Sequence, residues 1–136
     1  MHYTIQRQLS VAIENQPGRL AAISKAMAAH GINIKDLSVV DNVEQGMIRL
    51  VTNDPGECKA LLLREGFYVV EAEVLIVILK DTPGMLAVLC QALADAKINI
   101  DYAYGSEDPS EEHIRIVMKV SNTDQACQVI HSFQQP

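Results

Sequence analysis

The residues of this chain whose types and spacing could do chemistry form a six-residue stretch, Asn15-Gln16-Pro17-Gly18-Arg19-Leu20, which returns as Asp81-Thr82-Pro83-Gly84-Met85-Leu86. Each copy follows an apolar run of strand type and opens a run of helical periodicity, so each reads as a strand-to-helix turn. After Pro17 the backbone N–H groups of Gly18, Arg19 and Leu20 fall in the first helical turn, where they lack acceptors inside the helix. Together with the helix dipole they suit an anion, and Gly18 and Gly84, having no Cβ, let a ligand come close to the main chain. The Asn15 amide and the Asp81 carboxylate are placed either to cap the helix or to take a ligand ammonium. Carboxylate and ammonium together are the two ends of an α-amino acid. A Pro-Gly turn before a helix is also a common structural device; what favours a ligand is that it occurs twice, each time followed by Ile-Asn-Ile after its helix (Ile32 to Ile34, Ile98 to Ile100).

The elements that must position these turns can be read in order. Tyr3, Ile5, Leu9, Val11 and Ile13 occupy alternate positions, which predicts a half-buried strand to about Glu14. Leu20, Ile23 and Met27 recur at helical spacing, and Gly31 stands where a helix C-cap would be. Ile32, Ile34 and Leu37 to Val40 predict a second strand, and Asp41 to Gly46 a hairpin loop into a third at Met47 to Thr52. Asn53 to Gly56 mark a break before a helix at Glu57 to Arg64, which Gly66 ends. Phe67 to Val70 runs through Glu71 to Glu73 into Val74 to Leu79 with no breaker between them. The pattern then repeats: a strand to Lys80, a helix with Leu86, Leu89, Cys90 and Leu93 on one face, a strand from Ile98, a strand at Ile114 to Val120, and a helix carrying Ala126, Val129, Ile130 and Phe133.

Aligning Leu9 to Ile34 with Leu75 to Ile100 pairs identical residues at Leu9, Val11, Pro17, Gly18, Leu20, Ala21, Ala26, Ala28, Ile32, Asn33 and Ile34. That is too many for shared periodicity alone, so the chain is a duplication, divided into 1–73 and 74–136. Beyond the hairpins the offset is expected to lengthen from 66 to 69, pairing Val51 with Val120 and Cys58 with Cys127. A strand-helix-strand-strand-helix-strand unit makes an antiparallel sheet with both helices on one face, the α+β ferredoxin-like arrangement. The second copy has no counterpart of Phe67 to Glu73, so the N-terminal segment or a partner must cover its outer edge. Val74 to Leu79 is apolar on both faces, which implies that the face away from the helices is covered as well, through a homodimer.

Composition narrows the partners. The net charge is -6 with no basic run, which argues against a nucleic-acid backbone or an anionic membrane. The longest aliphatic run, Val74 to Leu79, is far short of a membrane span, and Met1 to Gln8 lacks the apolar core of a signal peptide, so a cytoplasmic location is expected. The three cysteines form no Cys-x-x-Cys pair, and the four histidines have no metal-ligand spacing. Cys90, on an apolar stripe, reads as a buried structural thiol. No cofactor fingerprint or nucleophile motif occurs, so neither a cofactor nor catalysis is expected.

The doubled pattern resembles tandem ACT domains, small-molecule regulatory modules of amino-acid metabolism. The family pattern, Asp-x-Pro-Gly-x-Leu, a helix, and Gly-Ile/Val-Asn-Ile, is met by Asn15 to Leu20 with Gly31 to Ile34, and by Asp81 to Leu86 with Lys97 to Ile100. The resemblance implies two ACT-type units side by side, with amino acids bound at their interface. One site would use Asn15, Gly18, Arg19 and Leu20 with Asn99; the other would use Asp81, Gly84, Met85 and Leu86 with Asn33. Two departures separate the copies: Asn15 replaces the acid, and Lys97 replaces the glycine of the left-handed cap. The site of Asp81 is therefore the one expected to be occupied. The functional expectation is a non-catalytic amino-acid-binding regulator acting on a metabolic enzyme. The alternative is a dedicated regulatory subunit of a biosynthetic enzyme, such as an acetolactate-synthase type complex.

Overall fold

The computed structural model describes residues 1–14, 16–41, 45–107 and 112–133. The elements in order are β1 (His2–Ile13), α1 (Arg19–Ala29), β2 (Ile34–Asp41), β3 (Gly46–Thr52), α2 (Pro55–Arg64), β4 (Tyr68–Lys80), α3 (Met85–Asp95), β5 (Ile100–Glu107), β6 (His113–Val120) and α4 (Thr123–Ser132). The chain forms two compact units, Arg7–Ala72 and a second made of Met1–Gln6 with Glu73–Pro136. The long strands β1 and β4 each contribute one half to either unit.

In the Arg7–Ala72 unit the strands run in the order β2-β3-β1-β4. Antiparallel pairing of β1 with β3 sets Leu9 opposite Leu50 and Val11 opposite Ile48, so these four side chains share one face. On that face α1 lays Ile23 and Met27, and α2 lays Cys58, Leu61 and Leu62, which closes the core. Both helices follow from spacing: their buried residues lie three or four apart and form one stripe. The Asp54 side chain caps α2, accepting from the Glu57 N–H at 3.1 Å, with Pro55 at the position where its missing N–H costs nothing. Glu71 on β4 takes the Arg7 guanidinium and, at 3.2 Å, the Lys59 ammonium, binding β4 to β1 and α2 within the unit. These two cations hold the Glu71 carboxyl below its ordinary range, Arg7 having the larger effect.

The second unit has the order β1-β4-β6-β5. No strand follows α4 among the described residues, and the outer place falls to the first residues of β1, with Met1 and Tyr3 packed against this unit's core. Of the two expected covers for that edge, the N-terminal segment is the one found. Leu75, Val77 and Leu79 of β4 face Met118, Ile116 and Ile114 of β6 in register, beneath Leu89 and Leu93 of α3 and Ala126 and Ile130 of α4. Each unit is thus the expected α+β ferredoxin-like plait, the second completed by the start of the chain.

Three expectations change. The hairpin offset grows by two residues, because the Asn33 and Asn99 carbonyls accept from Asn53 and Ser121, and the caps Asp54 and Asn122 follow directly. Cys58 therefore corresponds to Ala126, each fully buried, and not to Cys127. The stripe on α3 is narrower than the periodicity suggests: Leu89 and Leu93 are buried, Cys90 is only half-buried and Leu86 is 46% exposed. Val74, Ile76 and Val117, on the face away from the helices, are each 1% exposed in the single chain, so their burial needs no second copy.

Candidate functional site

The two Pro-Gly turns have the same backbone. Gly18 and Gly84 are the N-caps of α1 and α3 at φ 89° and 92°, in the left-handed region open to glycine, and neither helix has a side-chain cap. Space around both is open, since a Cβ added at either position would meet nothing within 4 Å. The helices start one residue later than the sequence suggests. Arg19 N–H turns back to the Gln16 carbonyl at 3.4 Å and Met85 N–H to the Thr82 carbonyl at 3.3 Å, so each turn uses the first N–H itself. The groups left for an anion at α3 are then the N–H groups of Leu86 and Ala87. The Asp81 N–H donates to the Glu112 carbonyl at 2.9 Å, which fixes the base of this turn to the start of β6.

The turns differ in their side chains. Asn15 lies outside the described residues. Arg19 is held by its own turn, donating to Glu14 at 2.9 Å and to Gln16 at 3.4 Å, and Leu20 is half-buried against the first core. In the second copy Met85 is half-buried, and the exposed Asp81 carboxylate makes no hydrogen bond or ion pair among the described residues. The two conserved positions of the repeat after each helix also part company here. Asn33 uses its backbone, donating to Asn53 Oδ1 at 2.9 Å, while its exposed side-chain amide has no partner among the described residues. Asn99 makes the matching backbone bond to Ser121 Oγ at 2.9 Å, but its amide donates to Asp101 at 2.9 Å. Asp101 also takes the Lys119 ammonium at 3.2 Å; the Asn99 bond first, and Lys119 second, hold its carboxyl below the ordinary range. Arg19 and Asn99 of one predicted set are thus committed to internal bonds, while the side chains of Asp81 and Asn33 in the other have no partner among the described residues.

A feature absent from the sequence reading lies beside Leu86. Leu86, Ala103, Gly105, Ser106, Ile114 and Ile116 line an open groove of about 400 Å³ within the second unit. Its floor is β5, where Gly105 sits so close to β6 that a Cβ would lie 2.7 Å from the Arg115 carbonyl oxygen. The signal for it was present in the repeat: Ala103 and Gly105 stand where the first copy has Leu37 and Val39. In register, Leu37 and Val39 oppose Leu50 and Ile48, as Ala103 and Gly105 oppose Met118 and Ile116.

A family model described as an ACT domain pair matches residues 3–134. The chain belongs to the ACT domain pair family. The ACT pair fold is shared by the crystal structure of a protein from Bacteroides thetaiotaomicron, 26% identical, covering 97% of this chain and 90% of that one with a TM-score of 0.90. The ligand-free regulatory subunit of aspartate kinase from Thermus thermophilus is 19% identical over 97% of both chains, at a TM-score of 0.72. Its counterpart from Thermus flavus is 20% identical, covering 99% of this chain and 98% of that one at 0.69. At such identity these two show a shared fold. No curated protein matches the sequence. Membership of the ACT pair family supports a regulatory role. No described helix is long and apolar enough to cross a membrane, and no group of potential metal ligands occurs among the described residues.

Proposed function

We propose that this ACT pair is a non-catalytic regulator that binds an amino acid through the Asp81–Leu86 turn together with Asn33 of an ACT unit of the other type. The observation that carries the reading is the pair of uncommitted polar ends. The side chains of Asp81 and Asn33 have no hydrogen-bond or ion-pair partner among the described residues, whereas those of Arg19 and Asn99, on which the alternative site depends, are tied to Glu14 and Asp101. The Asp81 carboxylate suits a ligand ammonium, the Leu86 and Ala87 N–H groups suit its carboxylate, and Gly84 leaves the approach open. Binding would act by favouring one packing of ACT units over another, an effect passed to a metabolic enzyme in the cytoplasm.

A second chain, either another copy in a homodimer or a partner enzyme, has a surface to use. Strand β2 is an outer strand whose Leu37, Val39 and Val40 are 44%, 51% and 45% exposed. The reading is tested by thermal shift of the intact chain with each of the twenty amino acids at millimolar concentration. At least one should raise the melting temperature, and Asp81→Ala should weaken that amino acid at least tenfold while leaving the ligand-free melting temperature unchanged. A chain that responds to none of the twenty, or a variant that responds as the parent does, refutes the assignment. Co-purification with a stable large partner would identify a dedicated regulatory subunit, and a lone dimer would identify a free-standing regulator.

A further inference from the structure

We infer that the groove between α3 and β5 receives the side chain of the ligand, and that the ligand is an L-amino acid with an aliphatic or aromatic side chain. The inference rests on the amino-acid reading of the Asp81 turn and adds to it the class of amino acid. Leu86 joins the two features, since it belongs to the first turn of α3 and also lines the groove. The volume of about 400 Å³ is within the ~300–1,000 Å³ usual for small-molecule sites.

The groove has a specific cause. Its floor is built by Ala103 and Gly105, small residues on the face of β5 turned toward the helices, where β2 of the other unit carries Leu37 and Val39. Close pairing with β6 forbids even a Cβ at Gly105, so the opening is fixed by backbone and does not depend on a rotamer. Its walls, Leu86, Ile114 and Ile116, are aliphatic, and Tyr104 and Ser106 are the polar residues that line it among those described. Among the described residues no charged side chain lines it, so an ammonium or carboxylate entering there would lose its hydration without a partner from them. An apolar side chain gains about fourfold in affinity for each methylene it buries. The exposed Asp81 carboxylate before α3 complements the ammonium that every amino acid carries, so side-chain class is left to the groove.

The experiment is calorimetric titration of the intact chain with L-leucine, L-phenylalanine, L-serine, L-aspartate and L-lysine. L-Leucine or L-phenylalanine should bind at least tenfold more tightly than the other three. Ala103→Leu, which copies Leu37 into the floor, should weaken the apolar ligand at least tenfold. With the wild-type chain, the amide signals of Ala103, Tyr104 and Ser106 should shift on adding L-leucine, a readout that does not depend on any variant folding. Tighter binding of serine, aspartate or lysine, undiminished binding by Ala103→Leu, or unmoved β5 signals under saturating L-leucine would overturn the groove assignment alone. Failure of all amino acids to bind would instead remove the underlying amino-acid reading and this inference with it.

Discussion

Replacing Lys97 by glycine should stabilise this protein. Lys97 follows α3 at φ 60°, the one described non-glycine residue in the left-handed region, while its counterpart Gly31 has φ 67°. Both junctions close in the same way: Ile32 N–H bonds to the Met27 carbonyl at 2.9 Å and Ile98 N–H to the Leu93 carbonyl at 2.9 Å, the six-to-one bond of a Schellman end. The left-handed conformation costs a residue with a Cβ roughly 1–2 kcal/mol. Glycine returns roughly 0.4–1 kcal/mol of this through its greater freedom in the unfolded chain. The net gain for Lys97→Gly is about 0.8 kcal/mol, which at a urea dependence of about 2 kcal/mol per molar raises the unfolding midpoint by roughly 0.4 M. Lys97→Ala keeps the backbone penalty while removing the charge, so it should stay near the parent, and Gly31→Ala should lower stability by about 1 kcal/mol. Equilibrium urea unfolding followed by circular dichroism measures all three. A midpoint for Lys97→Gly at or below that of Lys97→Ala would refute the reasoning, because relief of the left-handed residue is the only difference it invokes.

The helix caps and the buried Cys58 thiol carry further expected outcomes. The side chains of Asp54 and Asn122 cap α2 and α4 at 3.1 and 3.0 Å, so Asp54→Ala and Asn122→Ala should each cost about 1 kcal/mol in chemical denaturation. Burial pushes the Cys58 thiol up to about 11, with the Thr52 bond opposing and Asp54 assisting, while its Sγ lies 3.2 Å from Met27 Sδ. A raised folded value means that the neutral thiol is the native form. Its stabilising share is whole below pH 9 and is lost as pH rises from about 9 to about 11, and Cys58→Ala should flatten that part of the stability profile. A thiol reagent at pH 8 should modify Cys58 last.

The periodicities alone placed every strand and helix within a few residues, because each apolar stripe matches one pleat or one helix face, and the glycines mark the ends. Exposed Cys90 atoms and Leu86 show the limit of that signal: an apolar residue on a stripe is buried only where something lies opposite it, and opposite Leu86 stand Ala103 and Gly105. The missing last strand of the second copy showed that its edge needed cover, by the N-terminal segment or a partner; the choice of Met1 to Gln6 was made by tertiary pairing.

For the candidate site, the repeat by itself determined which residues form the turns, that the backbone at both is alike, and that Asn15 and Lys97 set the copies apart. The tertiary structure decided which polar ends remain available. Asn33 and Asn99 share Ile-Asn-Ile, but two residues on stands Lys35 in one copy and Asp101 in the other; the Asn99 amide bonds to Asp101 along its own strand, and Lys119 reaches that carboxylate from β6. Sequence spacing fixes the type and order of groups along the chain, Asp101 two residues after Asn99 included; that Lys119 also reaches Asp101 depends on a distance between strands, which exists only once the sheet has formed.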